Sequence, residues 1–173
     1  MRPILPAVFT LLLAAPALAD TYSPTRGDRV MISQGGLTLA NPDATATATL
    51  PFGAPFHDSL RLLATVMGHD FSVYLPEECP AGPVVVVSFP GQIDLIYQQD
   101  QLAGWMLRPG SDLSTPSGIG LGTPLAGLGS FATLEIMEST LGWEFQAGSV
   151  SGLLSDREGI VEHLWSGTVC IFR

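Results

Sequence analysis

The side chains best suited to chemistry are few, and their spacing decides what they can do. Three histidines each stand beside an acid: His57-Asp58, His69-Asp70 and Glu162-His163. Imidazole with carboxylate is a donor set for zinc or copper. Adjacent residues on a helix or strand do not point at one centre, however, and the chain has no His-x-x-x-His. A metal site would require all three histidines to converge through folding. Solvated surface residues are the expectation.

Serine hydrolysis needs a serine on a strained strand-to-helix turn. Gly148-Ser149-Val150-Ser151-Gly152 places Val150 at its centre, so it is not the Gly-x-Ser-x-Gly elbow, and a hairpin turn is expected. Gly118-Ile119-Gly120-Leu121-Gly122 has Thr123 where a dinucleotide fingerprint needs its third glycine. Glu135 and Glu138, or Glu77 and Glu78, are paired carboxylates, but glycosidase chemistry needs two carboxyls facing across a cleft. No Asp-x-Asp-x-Asp-Gly calcium loop is present. The sequence therefore assigns no catalytic residue, cofactor or metal ligand.

Cys79 and Cys170 are the only cysteines. Their meaning depends on compartment. Arg2, an apolar stretch from Ile4 to Ala15, and Ala17-Leu18-Ala19 form the three parts of a secretory signal peptide over residues 1–19. The apolar run is shorter than the roughly 20 residues a membrane helix needs. Cleavage after Ala19 leaves six Arg against sixteen acids, hence a net charge of −10. A periplasmic or secreted location is expected, with no transmembrane segment after cleavage. In such an oxidising place the two cysteines are expected to form a Cys79–Cys170 disulfide. Closing a loop of about 90 residues contributes about 4–5 kcal/mol on the chain-entropy model. No Cys-x-x-Cys exists, so a redox-active pair is not expected.

Composition adds exclusions. The chain is 46% hydrophobic and 13% charged, which is a globular composition. The acidic balance argues against nucleic acid, whose binding needs many Lys and Arg. All seven basic side chains are Arg, so Schiff-base, P-loop and Ser-Lys chemistry are excluded for this chain.

The elements that would position these residues follow from periodicity. Arg29–Ile32, Gly36–Leu39 and Thr45–Leu50 read as short strands. Gly53-Ala54-Pro55-Phe56 starts a helix, with Phe56, Leu60, Leu63 and Met67 on one face and Gly68 as the stop. Residues 84–107 predict a three-stranded antiparallel meander turning at Pro90-Gly91 and Gln98–Gln101. Leu121-Gly122-Thr123-Pro124-Leu125 repeats the helix-start pattern, with Thr123 as N-cap and Leu125, Leu128 and Phe131 as a short helical face. Strand-like runs follow at 133–137, 143–146, 150–154 and 160–165, and Gly167–Phe172 closes the sequence. The expectation is one α+β domain over 20–173. It has a mostly antiparallel sheet, short helices packed on one face, and two tandem helix-plus-meander units at 52–107 and 118–172.

Gly53, Leu60, Leu63 and Gly68 followed by a meander resemble the repeat of the beta-lactamase inhibitor protein family. They are also similar to small outer-membrane-assembly lipoproteins of that two-layer fold. Gly118–Leu125 resembles the same helix-start turn. The resemblance implies a non-enzymatic envelope or secreted protein that binds another protein over its sheet. This chain lacks a lipid-attachment cysteine and the inhibitor's disulfide pattern, and its second helical segment is rich in glycine, so no binding residue is carried over.

The leading expectation is an exported, soluble, non-catalytic binding protein whose partner is another envelope or secreted protein. A small extracytoplasmic hydrolase and a metal-handling periplasmic protein are the alternatives. Trp105, Trp143 and Trp165 all fall on predicted strands. They are candidate partner-binding aromatics if they face outward, and core residues if they face the helices.

Overall fold

A computed structural model describes residues 22–130 and 133–172. The signal-peptide residues 1–19 and Phe131 lie outside them. The described residues form β1 (Arg29–Ser33), β2 (Gly36–Ala40), β3 (Thr47–Pro51), α1 (Phe56–Met67), β4 (Ser72–Tyr74), β5 (Val85–Phe89), β6 (Ile93–Gln98) and β7 (Gln101–Leu107). A 3₁₀ turn (Leu125–Ser130) then precedes β8 (Glu135–Ser139), β9 (Gly142–Ala147), β10 (Val150–Leu154) and β11 (Val161–Gly167).

All strand pairs are antiparallel. One sheet has three strands in the order β1-β2-β3, and the other has eight in the order β4-β5-β6-β7-β11-β10-β9-β8. The larger sheet is thus two four-stranded meanders that meet at their last strands, β7 and β11. The join is short: Trp165 pairs with Met106, Ser166 with Trp105 and Gly167 with Gly104.

α1 forms for the reason its sequence suggests. Pro55 occupies the N-cap in an extended conformation, and Gly68 ends the helix with its N–H bonded to Ala64 O. Leu63 and Val66 face inward, where they join Val87, Phe89, Ile93, Leu95, Tyr97 and Trp105 of the large sheet. The small sheet adds Ile32, Leu37 and Leu39 to the same core. Each such side chain taken from water contributes about 1.5–3 kcal/mol. Polar ties hold the small sheet in place. Trp105 donates its indole N–H to Ser33 O at 2.9 Å, and the hydroxyls of Ser149 and Ser166 each lie 2.8 Å from Gln34 O.

The fold class differs from the α+β expectation. The protein is mostly β, 43% strand and 11% helical, with a single α-helix among the described residues. Two causes are visible. The second helix start yields only a 3₁₀ turn, because Gly127 and Gly129 fall within it and each costs about 1 kcal/mol relative to alanine. Thr123 does not cap it; its hydroxyl accepts the N–H of Gly120, before the turn. Residues 29–51, in addition, build a sheet of their own that packs on the large sheet's inner face alongside α1. The expected pair of helix-plus-meander units becomes two meanders, only the first of which follows an α-helix. Residues 168–172 carry no strand. No described helix is long and apolar enough to cross a membrane.

Candidate functional site

The inner face of the large sheet is filled, so the outer face decides what the molecule can present. Strand alternation and register give its composition. One row across the strands is Ser88, Asp94, Met106 and Trp165. The next is Tyr74, Val86, Ile96, Gly104 and Gly167. An antiparallel sheet with one solvated face alternates apolar inward with polar outward. Here the outward positions Val86 and Ile96 are apolar and buried, so something covers part of this face.

The cover is the C-terminal tail. Val169 and Cys170 pack with Cys79 against Val84, Val86 and Ile96. The tail crosses β7 at Gly104, where a Cβ would stand 2.0 Å from Thr168 O and 2.7 Å from Thr168 N. Only glycine allows so close a backbone approach. Thr168 N donates to Ala103 O at 2.9 Å. The Cys79–Cys170 disulfide, with a Cα separation of 4.9 Å, then ties the tail to the loop before β5. The bond anticipated from the two cysteines is therefore present, and it fits an oxidising, extracytoplasmic location.

The tail leaves one gap. A cavity of about 240 Å³ is lined by Tyr74, Pro76, Glu78, Val86, Asp94, Ile96, Met106, Val169 and Cys170. Asp94 is its unusual member, a carboxylate only 3% exposed in the middle of β6. Arg108 donates from Nη1 to Asp94 Oδ2 at 3.1 Å. The other oxygen, Oδ1, is sealed from solvent and receives no hydrogen bond among the described residues. Leaving such an acceptor unpaired costs about 1–3 kcal/mol. Arg108 is 43% exposed, so the ion pair sits at the solvent boundary and contributes nearer ~1 kcal/mol than the several of a sealed pair.

Tyr74 reports the same electrostatics. Burial pushes its phenol above the ordinary range, the Asp94 charge adds to that rise, and the Arg108 charge opposes it. Tyr74 is nonetheless 43% exposed beside the cavity, and its neighbours Val73 and Leu75 continue an exposed apolar run along the sheet edge without lining the cavity. Such a run on an unpaired edge is unusual for a strand facing only water.

The residues singled out from sequence are distributed differently. Trp105 and Trp165 are buried, and Trp143 is half-buried with the Arg157 guanidinium 5.7 Å from its ring centroid. Trp105 faces the inner core, so it presents nothing to a partner. Trp165 lies on the outer face but is covered. His57 on α1, His69 beyond it and His163 on β11 are exposed and separate. Among the described residues no group of three His, Cys, Asp or Glu is placed to share a metal. Gly148 and Ser149 are the two-residue turn between β9 and β10. Glu135 and Glu138 are both exposed on β8.

Asp94, Arg108 and Tyr74 were missed by sequence reasoning. The available signal was the apolar character of Val86 and Ile96 at positions of the same parity. A larger cleft of about 670 Å³ lies between β1, the end of α1 and the 112–118 loop. Two of its polar side chains are engaged outside the cleft: Asp28 accepts from the Tyr22 hydroxyl and Thr25 N, and buried Thr115 bonds Ser117 Oγ and accepts from Ile119 N. No family model, curated protein or solved structure matches the chain.

Proposed function

We propose that the chain is an exported, non-catalytic binding protein, periplasmic or secreted, that meets another envelope or secreted protein with the outer face of its large sheet. The observation that carries this reading is the gap beside the disulfide. It combines a buried carboxylate with one unpaired oxygen and an exposed apolar rim at Tyr74. Apolar rim plus buried polar floor is the make-up of a recognition pocket. The acidic net charge of −9 favours a basic partner over an acidic one.

Site-specific photocrosslinking tests it. A photoreactive residue in place of Tyr74, in the full chain exported from its native host, should give one adduct of fixed mass. The same residue in place of Ile136, on the opposite sheet edge, should give none. Adducts of equal yield at both positions, or at neither, would remove the reading.

A further inference from the structure

We propose that the cavity beneath Tyr74 receives the guanidinium group of an arginine side chain from the partner protein. This rests on the binding reading above and adds its chemistry. Asp94 lines the cavity, and its Oδ1 is a buried anionic acceptor with no donor among the described residues. Its sister oxygen is already engaged by Arg108, which fixes the carboxylate and leaves one acceptor for a newcomer. The charged groups around the space are Asp94, Arg108 and Glu78, so it carries one net negative charge when empty and none with a monocation inside.

The walls select among cations. Val86, Ile96 and Met106 offer little to hydrate an ammonium ion, whereas a guanidinium is weakly hydrated and planar. The Tyr74 ring supplies a face on which such a plane stacks. The pocket is small, about 240 Å³, which suits one side-chain head group and its stem, not a folded element. Tyr74 of its lining stands on the unpaired edge of β4, where an approaching chain would meet it exposed.

The probe is N-acetyl-arginine methylamide, titrated into the exported, disulfide-bonded protein and followed through the Met106 methyl resonance. Saturable displacement of that resonance is expected. The citrulline analogue has the same shape without the charge, and should bind about tenfold more weakly or worse. Asp94→Asn should weaken the arginine probe to a similar extent. Glu78→Gln, on an exposed loop where folding is not at stake, should weaken it several-fold. A bound cation also stabilises a nearby phenolate, so the probe should move Tyr74 ionisation to lower pH and leave Tyr22 and Tyr97 in place.

Equal displacement by arginine and citrulline probes, or unchanged binding in Glu78→Gln, would overturn the proposal. So would the absence of saturable displacement. An adduct at position 74 without guanidinium binding would defeat the cation pocket alone and leave the outer-face reading standing. Absence of both would defeat the two together.

Discussion

The β4–β7 and β8–β11 meanders follow the same course, yet they fill their inner faces by different means. In the first, β5, β6 and β7 each send large side chains inward: Val87 and Phe89, Ile93, Leu95 and Tyr97, then Leu102, Trp105 and Leu107. A twelve-residue helix lies over them. In the second, Gly152 occupies the centre of β10, and the Phe145 ring of β9 lies where its side chain would be. A Cβ on Gly152 would stand 2.5 Å from Phe145 Cε1 and 2.3 Å from His163 O. The outermost strands are alike, since β4 and β8 are both exposed along nearly their whole length, while β5, just inside the first edge, is almost wholly buried. Similar topology is thus reached once with large side chains throughout and once with an aromatic laid over a glycine among Ala147, Val150, Leu154, Val161 and Leu164.

Four substitutions sharpen that contrast. Leu95→Ala removes a fully buried side chain from a face where all neighbours are large and held by α1. Collapse into the space is limited there, and the expected loss is about 2–5 kcal/mol in urea unfolding. A loss under about 1 kcal/mol would mean that the first meander is not the rigid half. Gly152→Ala makes the opposite change in volume and should also destabilise, by about 1–3 kcal/mol, because one of the atoms it meets is backbone. Phe145→Leu in the same background should recover part of that loss if the ring is the obstacle. No recovery would place the strain on the His163 carbonyl. The smallest effect is a gain. Gly129 is exposed and has open space where a Cβ would stand, so Gly129→Ala should stabilise by about 0.5–1 kcal/mol. Loss of stability at this position would contradict the propensity account of why only α1 is a full helix.

These contrasts bear on how much was legible in the residues. α1 was readable because its signals agree: a proline start, four apolar positions at helical spacing and a glycine stop. Leu121–Leu125 carried the start alone, and the two glycines inside the following turn outweighed it. The β5–β7 meander was readable because its apolar positions alternate around Pro90-Gly91 and Gln98–Gln101. The three strands before α1 were also visible as short runs, but nothing in those runs shows that they pair only with one another. The three tryptophans illustrate the limit most plainly. Their strands were found, and their burial depended on which face received a cover.

The chain's own chemistry thus settles several properties locally. Absent lysine, acidic balance, two cysteines and the helix over 56–67 all follow from residue types and short-range spacing. The candidate site does not. Asp94 becomes a buried, half-satisfied carboxylate because β4 and β5 flank it, β7 brings Met106 and Arg108 alongside, and a tail 75 residues downstream is clasped over the same face by the disulfide. Those are long-range pairings. Their outcome depends on strand order and on what lies across a glycine gap, neither of which a period of two along one strand encodes.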